Sequence, residues 1–429
     1  MVLSSENALV KPEVYETKRI RLNSPVLHIG SEVSQLNPFE YVQTANKVYF
    51  PNQEALAKAL QQRGRLQDFI NAIKNRDEIA DLLQQTFGNN WQIATDSEDN
   101  PIFPESLVDA KWTTQKITDL RPMIRNGFGQ LYLPGSSIKG AIRTAIAYYL
   151  IKHADQYQVP QSHRISEIEK QLRQKLDRGE FKSKYKQKFA DDELLMNHLF
   201  SSFSLNYQGR HIPAKTGPNT DIMRAVKVSD SQPLLKKTVV RKATGKKVTY
   251  NIPVVTEVIV SSHFKDCQAK YRASIYPEMV RNINTEFTLS IDTEMLSWFQ
   301  HEQGMKLPFQ SVDDLVKICQ EFAQEQWDGE HDYWHMVKDN QHSGKSLYFS
   351  EIRKFYEPEK CPYQLRLGWG SGMNGTTIGW LLNDELRAEL RDTCGIPAPN
   401  FEAPKSRRTI VDPKGEIKFL PGWVKFKVL

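Results

Sequence analysis

The sequence predicts an α+β protein, because it contains segments with the periodicity of strands and segments with the periodicity of helices. Near the start of the chain, Ile20 and Leu22 alternate with Arg19 and Arg21, which is the pattern of a half-buried strand. The clearest helix lies in residues 131–152, where apolar side chains recur at intervals of three and four along one face. These side chains are Ile138, Ala141, Ile142, Ala145, Ile146, Tyr149 and Leu150.

The composition is that of a folded protein with a slight excess of positive charge. The 429 residues include 57 Lys and Arg against 51 Asp and Glu, which gives a formal net charge of +6. A hydrophobic fraction of 39% and a charged fraction of 25% exclude a generally disordered chain. The length predicts two or three domains, or a single domain with large insertions. The mild positive charge is compatible with a polyanionic partner but does not establish one.

Cysteine usage and hydropathy predict a cytoplasmic protein with no membrane association. The four cysteines, at 267, 319, 361 and 394, are too scattered for a disulfide scaffold and form no C-x-x-C pair. The longest apolar run, residues 145–151, is far shorter than the ~20 residues of a membrane helix. Residues 1–16 have no apolar segment behind a basic start, so a signal peptide is not expected.

Other segments follow in a regular order of helical, strand and polar patterns. Residues 236–247 carry six Lys or Arg and no acid, and Thr244-Gly245 between β-branched runs predicts a basic β-hairpin. The further predicted elements are a helical region at 53–87, a polar loop at 88–100, a solvated basic helical insertion at 164–188, strands at 254–262 and 285–292, a helix at 311–327, a strand at 363–368, a helix near 378–391, and an extended tail from 397 that wraps a surface.

The strongest local feature is a glycine-rich stretch, LRLGWGSGMNGTTIG, at residues 365–379. Its glycines are Gly368, Gly370, Gly372, Gly375 and Gly379. A strand that runs into such a loop can bring backbone N–H groups close to a phosphate, because no Cβ holds the ligand away. No G-K-[ST] follows, and no βαβ unit surrounds the loop, so it is neither a Walker A nor a sound dinucleotide motif. A tight structural turn is the alternative interpretation.

The start of the helix in residues 131–152 is a second candidate for anion binding. Ser136 or Ser137 is a plausible N-cap, and Lys139 and Arg143 share one helix face. An ordinary capped amphipathic helix explains the same residues. Basic stretches at 182–188, 236–247 and 405–408 are interleaved with aromatics, a composition that suits phosphate neutralisation and base stacking but is also typical of a solvated face.

Two other patterns suggest catalysis more weakly. His331 and His335 are one helical turn apart, as in the two-histidine zinc helix, with His342 as a third ligand in a zinc hydrolase. The alternative is a histidine pair at the end of a helix that packs on an aromatic. Asp221 and Asp230 are spaced acids beside Arg224, but no histidine or second carboxylate lies at a motif spacing, so a turn at a strand edge is favoured.

Four segments together resemble the RAMP superfamily of CRISPR effector proteins. The two specific ones are the strand, P-G-S-S-x-K-G-x-x-R and helix combination and the C-terminal L-G-x-G-x-G loop. With its opening segment, which contains Pro25, His28 and Gly30, the chain looks most like the Csm-type fifth, 3′-end capping subunit of type III complexes. In order, the segments are SPVLHIGS (24–31), LYLPGSSIKGAIRTAI (131–146), MRAVKVSDS (223–231) and LRLGWGSGMNGTTIG (365–379).

The resemblance implies a ferredoxin-like, RRM-like RAMP core in a single domain, enlarged by insertions and a tail. The insertions that we expect are a helical segment at 53–100, a basic helical segment at 152–200, a basic hairpin at 232–252 and a helical segment at 295–350. The tail at 397–429 is expected to be extended. The resemblance implies CRISPR RNA, target RNA and other RAMP subunits as partners, and no cofactor. The RNA-binding residues it implies are Ser136, Ser137, Lys139, Arg143, Arg224, Arg366, Gly368, Gly370, Gly372 and Gly375, with Lys237, Arg241, Lys242 and Lys246 on a thumb-like hairpin.

Two functions remain as hypotheses at this point. Backbone RAMP subunits cut target RNA with an Asp in an early loop, and residues 1–52 contain no Asp. This absence favours a non-catalytic subunit that holds the 3′ part of the guide and the guide–target duplex. The alternative is a RAMP endoribonuclease that processes guide RNA or cuts target RNA, with His28 or His263 as the general base.

Overall fold

The computed structural model describes residues 14–214, 217–240 and 245–429, without the side chains of residues 188, 189 and 191. Helices and strands are intermixed over this part of the chain, which confirms the predicted α+β class. None of the described helices is long and apolar enough to cross a membrane.

The described α-helices range from one turn to seven turns in length. They are α1 (Gln53–Gln62), α2 (Leu66–Asn75), α3 (Ala80–Phe87), α4 (Gly135–Lys152), α5 (Ile165–Asp177), α6 (Lys184–Asp191), α7 (Thr293–Trp298), α8 (Val312–Met336), α9 (Ser350–Tyr356), α10 (Met373–Thr376) and α11 (Asp384–Cys394). A π-helical segment, Asp192–Ser201, directly follows α6.

The described strands include two long ones that run through the middle of the molecule. The strands are β1 (Tyr15–Leu27), β2 (Val42–Gln43), β3 (Lys47–Tyr49), β4 (Val108–Trp112), β5 (Leu120–Arg121), β6 (Phe203–Tyr207), β7 (Arg210–Ile212), β8 (Val226–Val228), β9 (Lys237–Val240), β10 (Lys247–Tyr250), β11 (Ile252–Thr256), β12 (Val258–His263), β13 (Ala269–Asp292), β14 (Phe299–His301), β15 (Asn340–His342), β16 (Lys345–Leu347), β17 (Leu365–Arg366), β18 (Arg407–Val411), β19 (Ile417–Phe419) and β20 (Trp423–Val428).

A ferredoxin-like unit forms the centre of the main sheet. Its elements follow one another along the chain as β1, α4, β8, β13, α8 and β20. In the sheet the strands lie in the order β20-β1-β13-β8, and each neighbouring pair is antiparallel. A βαββαβ chain whose fourth strand lies beside the first, and whose first lies beside the third, has the ferredoxin-like topology. The structure therefore confirms the core that the resemblance implied.

Helices α4 and α8 pack against each other over one face of this unit. Ile20 and Leu22 of β1 are fully buried beneath them, because alternate side chains of a strand point to the same face. The ring centroids of Tyr148 on α4 and Phe322 on α8 lie 4.9 Å apart. The hydroxyl of Tyr148 also donates to a carboxylate oxygen of Glu325 at 2.6 Å. Apolar packing and charged hydrogen bonds, including one from Lys152 to Glu325, thus hold α4 against α8.

Backbone irregularities explain two differences from the predicted elements. The single helical region at 53–87 is three helices, because Gly64 (φ +67°) and Arg76 (φ +57°) leave the right-handed region between them. The Ser24-Pro25 pair predicts a break in the first strand, with the pattern beginning again at Val26, but β1 continues through both residues to Leu27. It accommodates Pro25 opposite Asn282, whose φ of +50° locally distorts β13.

The structure of the C-terminal segment differs from the predicted extended tail. Residues 397–429 were expected to form an extended tail that wraps a surface, but β18, β19 and β20 all join the main sheet. Trp423 and Val424 are completely buried, and β20 pairs with β1 from Ile20 to Asn23. Pro413 and Pro421 lie in the connections before β19 and β20, where a missing N–H is tolerated.

Other element boundaries are also longer or more mixed than predicted. Helix α8 continues nine residues past the predicted end at 327, and the strand predicted at 285–292 is the last third of the 24-residue β13. The segment at 295–350, predicted as helical, also contains β14, β15 and β16. The division of the chain into one domain with insertions stays a prediction.

Candidate nucleic-acid interface

The glycine-rich loop lies against the end of β1 and the turn before β20. The N–H of Trp369 donates to the carbonyl oxygen of His28 at 2.9 Å, and the N–H of Leu367 donates to that of Gly422 at 2.7 Å. Gly368 has a φ of +74°, and a Cβ there would overlap the carbonyl group of His28. Glycine is needed at this position because the backbones of the loop and β1 approach too closely for a side chain.

Trp369 presents an aromatic ring among positive charges on this loop. Its side chain is half-buried, and the guanidinium carbons of Arg408 and Arg121 lie 5.0 Å and 5.6 Å from its ring centroid. The ring of His28 meets it edge-on at 5.6 Å. An aromatic ring flanked by guanidinium groups can stack on a nucleotide base while the charges neutralise neighbouring phosphates. This group, which we call the Trp369 cluster (His28, Arg121, Trp369 and Arg408), is the best candidate for contact with a nucleic acid.

His28 is structural in this arrangement. It is 2% exposed, its Nδ1 bonds to the carbonyl oxygen of Glu278 at 2.6 Å, and burial lowers its pKa to about 4. A buried neutral imidazole with one nitrogen engaged is poorly placed to take a proton from an RNA hydroxyl. His263, the other candidate base, is 5% exposed and contacts the carbonyl oxygen of Phe264 and the carboxylate of Glu402. These positions weaken the nuclease hypothesis.

The start of α4 differs from the prediction. The helix begins at Gly135, so Ser136 and Ser137 lie in its first turn and neither is the N-cap. The N–H of Gly135 donates to the carboxylate of Asp230 at 2.7 Å, and a Cβ on Gly135 would overlap the carbonyl oxygen of Val228. A carboxylate from the segment after β8 therefore occupies the helix N-terminus that was expected to be open to a phosphate.

The two basic residues of the α4 motif face Asp221. The guanidinium of Arg143 lies 2.5 Å from the carboxylate of Asp221 and covers the ring of Phe200, with its central carbon 4.1 Å from the centroid. Lys139 is half-buried, and burial lowers its pKa. These contacts join α4 to the π-helical segment and the turn before β8. The charge of Arg143 is compensated within the protein, and its role in RNA binding, like that of Lys139, stays a prediction.

The basic hairpin forms as predicted in the residues that the structure describes. Strands β9 and β10 pair antiparallel from Lys237, opposite Tyr250, to Val240, opposite Lys247. Lys237 and Lys246 are exposed, whereas Arg241 and Lys242 lie outside the described residues. Arg224 is exposed as well, and its guanidinium donates to the carbonyl oxygen of Asn219.

The zinc interpretation is not supported by the described residues. The rings of His331 and His335 lie 4.2 Å apart near the end of α8, and His331 bonds to the neighbouring Asp332. His342, the expected third ligand, lies on β15 against the ring of Phe264. Within the described part of the chain, no three His, Cys, Asp or Glu side chains form a group that could hold a metal ion.

Of the charged neighbours of the glycine-rich loop, only Arg366 was among the RNA-binding residues that the resemblance implied. Arg366 and Arg407 are both more than nine-tenths buried, and both lie within ion-pair distance of Glu330 on α8. Arg407 and Arg408 belong to the basic stretch already noted at 405–408, which could have signalled them. Arg121 and Glu330 carry no sequence signal, because only the fold brings β5 and α8 to the loop.

Comparison with known proteins assigns the chain to a family. The sequence profile of the RAMP superfamily matches residues 19–342, which is most of the chain. The chain belongs to the RAMP superfamily. The expectation drawn from the four motifs is thereby confirmed, and the matched region of the RAMP chain includes β1, α4, β8, β13 and α8 of the ferredoxin-like core.

Several individual proteins resemble this RAMP chain. The CRISPR system Cms protein Csm5 of Enterococcus italicus is 26% identical over 151 residues, which are 31% of this chain and 43% of the relative. The match thus spans less than half of that curated relative.

Two solved structures share the fold of this RAMP chain. A chain of the Csm–crRNA–target RNA ternary complex of a type III-A CRISPR-Cas system matches with a TM-score of 0.60 and 23% identity. The crystal structure of T. onnurineus Csm5 matches with a TM-score of 0.53 and 20% identity. Each match covers 96% of this chain and 100% of the other.

Proposed function

We propose that this protein is a guide-RNA-binding subunit of a type III CRISPR effector complex. Membership of the RAMP superfamily, the sequence similarity to a Csm5 protein and a fold shared with a chain of a Csm–crRNA–target RNA complex support this proposal. The observation that carries it is the Trp369 cluster. There a loop shaped by glycines holds an aromatic ring between two guanidinium groups at the surface of the core.

In its finer form, the proposal is that the subunit caps the complex and holds the 3′ part of the guide together with the guide–target duplex. Its partners are then CRISPR RNA, target RNA and other RAMP subunits. The similarity to Csm5 supports this placement, and the exposed lysines of the β9–β10 hairpin supply a second basic surface for the same strand. Binding that depends on phosphate contacts weakens steeply with salt.

The proposed role requires no chemistry from this chain. The endoribonuclease alternative needs a general base, yet both candidate histidines are buried and bonded within the protein. Incubation of the isolated chain with repeat RNA, with and without Mg²⁺, separates the two functions. Binding without cleavage is the expected result, and cleavage that is lost in His28→Ala would favour the nuclease.

The capping role is tested in the assembled complex. We expect a complex reconstituted without this chain to carry guide RNA whose 3′ ends are shortened or heterogeneous when sequenced after nuclease challenge. Adding the purified chain back should restore defined 3′ ends. If the complex that lacks the chain assembles normally and keeps full-length 3′ ends, the capping role is wrong.

A further inference from the structure

A pocket lies between the glycine-rich loop and the start of β18. The unfilled space around it, counted together with adjoining open solvent, is about 310 Å³, and the enclosed part is far smaller. Three arginines and four residues of the glycine-rich loop are among the residues that line it. The residues that line it are Glu330, Arg366, Gly370, Ser371, Gly372, Asn374, Pro404, Ser406, Arg407 and Arg408.

The charges in this pocket do not balance. Glu330 supplies the carboxylate, with one oxygen 2.9 Å from the guanidinium of Arg407 and 3.5 Å from that of Arg366. None of the ion pairs formed by the described residues includes Arg408, and its buried Nε has no hydrogen-bond partner among them. The three arginines and one carboxylate leave an excess of two positive charges. Positive charge removed from water is costly unless an anion pairs with it.

The loop backbone adds unengaged donors to the same pocket. The N–H groups of Gly370, Ser371 and Gly372 donate to no acceptor in the described part of the chain. Gly370 and Gly372 have φ values of +94° and +75°. Successive N–H groups in such left-handed turns can form a concave nest for an anion. The N–H groups of the loop and the guanidinium groups of the arginines can therefore bind the same anion.

We propose that this pocket binds one phosphate group of the RNA strand. Arg408 is its main ligand, because this side chain lacks a carboxylate partner and also flanks Trp369. A phosphate in the pocket would place the adjoining nucleoside beside the ring of Trp369, where a base can stack. The inference rests on the proposed function for the identity of the ligand, because the pocket itself recognises only the phosphate.

The test compares Arg408→Gln with Arg76→Gln, which removes the same charge from an exposed arginine after α2. Binding of labelled guide RNA to the full chain is measured by fluorescence anisotropy at several salt concentrations. We expect Arg408→Gln to weaken binding by roughly tenfold or more and to reduce the salt slope by about one unit. Arg76→Gln should leave both unchanged.

Thermal unfolding distinguishes an arginine that binds a phosphate from an arginine that stabilises the fold. Because Arg408 is unpaired, Arg408→Gln should leave the melting temperature unchanged or raise it, whereas loss of a purely structural side chain would lower it. Ser406→Glu is a second test variant. Ser406 is exposed and lines the pocket, so the carboxylate of the introduced glutamate can occupy the site of the phosphate. We expect this variant to have a higher melting temperature and weaker RNA binding.

Inorganic phosphate distinguishes a pocket that binds a phosphate group of RNA from one that binds a free phosphate ion. It should raise the melting temperature of the wild-type chain but not that of Ser406→Glu. If phosphate stabilises the protein while Arg408→Gln binds RNA as the wild type does, the pocket holds a free anion and the inference is overturned. Normal RNA binding by Arg408→Gln without any phosphate effect overturns it as well, and leaves the proposed function standing. If the wild-type chain and its complex bind no guide RNA, both fail.

Discussion

At the scale of single residues, the clearest distinction is between aromatic side chains that support the core and one that is available to a ligand. Trp423, Trp334 and Trp327 are at most 1% exposed, whereas Trp369 is half-buried beside two guanidinium groups. A base that stacks on an aromatic ring gains about 1–3 kcal/mol. Trp369 therefore combines partial exposure with a setting that suits a nucleotide.

We expect Trp369→Ala to weaken guide-RNA binding by about 1–3 kcal/mol, the contribution of one stacked base. Trp369→Phe keeps a ring and should retain most of the affinity. Filter binding of both variants at one salt concentration measures the difference. Equal affinities for the Ala variant and the wild type would show that no base stacks on this ring.

A second residue-scale feature is a buried acidic pair, Asp109 on β4 and Glu278 on β13. Glu278 accepts from Arg125 and from the N–H of Met123, whereas no such donor bonds to Asp109 among the described residues, and its carboxyl interacts with that of Glu278 instead. Burial, and then the neighbouring Glu278, raises the pKa of Asp109 well above its ordinary value. Two buried carboxylates this close share one proton, and Asp109 carries it because Arg125 lies beside Glu278.

This pair predicts a pH dependence of stability. The folded chain keeps a proton on Asp109 that the unfolded chain releases above its ordinary pKa near 4, so stability falls as the pH rises from that value toward the raised pKa. Asp109→Asn should remove this slope and unfold at a higher temperature than the wild type at pH 7–8. Glu278→Gln, which breaks the Arg125 ion pair, should unfold at a lower one. Melting curves between pH 5 and 8 decide the matter, and a steeper slope in Asp109→Asn would contradict the assignment.

At the scale of elements, local pattern predicted the strands and helices that bury one face and failed where distant segments complete a site. The stripe from Ile138 to Leu150 predicted α4 correctly, because helical periodicity is a local property. Its cap was predicted wrongly, because Asp230, which accepts from the first N–H of the helix, comes from the segment after β8. The glycine-rich loop was identified from sequence, but Arg121 and Glu330 reach it only through the fold.

The glycine-rich loop also permits a matched pair of substitutions. In Gly368→Ala the new Cβ would overlap the carbonyl group of His28, whereas at Gly372, with nearly the same φ, a Cβ meets nothing within 4 Å. An alanine held at the backbone angles of Gly372 (φ +75°, ψ 178°), a region populated almost only by glycine, costs about 1–3 kcal/mol. We therefore expect Gly372→Ala to lose about that much stability and Gly368→Ala to lose clearly more, as measured by denaturant unfolding. Equal losses would mean that His28 and the loop are not in close contact.

At the scale of the whole molecule, both ends of the described chain build the same sheet. Strand β1, near the start, is paired on one side by β13 and on the other by β20, near the end. The sequence suggested a wrapping tail because a strand as short as β20, which follows Pro421, has no strong pattern of its own. Its partner lies about 400 residues away, so only the assembled sheet reveals its role.

We expect Trp423→Ala to cost about 3–5 kcal/mol, as for a large aromatic removed from a well-packed core. Trp423 is completely buried and its indole N–H bonds to the hydroxyl of Tyr356. Phe128→Ala is the control, because Phe128 is 89% exposed and should contribute little. Chemical denaturation compares the two variants, and an equal, small effect would support a peripheral tail.

If RNA lies across the Trp369 cluster, photoreactive nucleotides in the guide should cross-link to the residues of the glycine-rich loop. The complex is assembled with guide RNA that carries photoreactive uridines, irradiated and digested, and the cross-linked peptides of this chain are identified by mass spectrometry. We expect cross-links within residues 365–379 and at the start of β18, and their loss in Trp369→Ala. Efficient cross-linking of the guide to this chain at other segments alone, with none at the glycine-rich loop, would contradict the account.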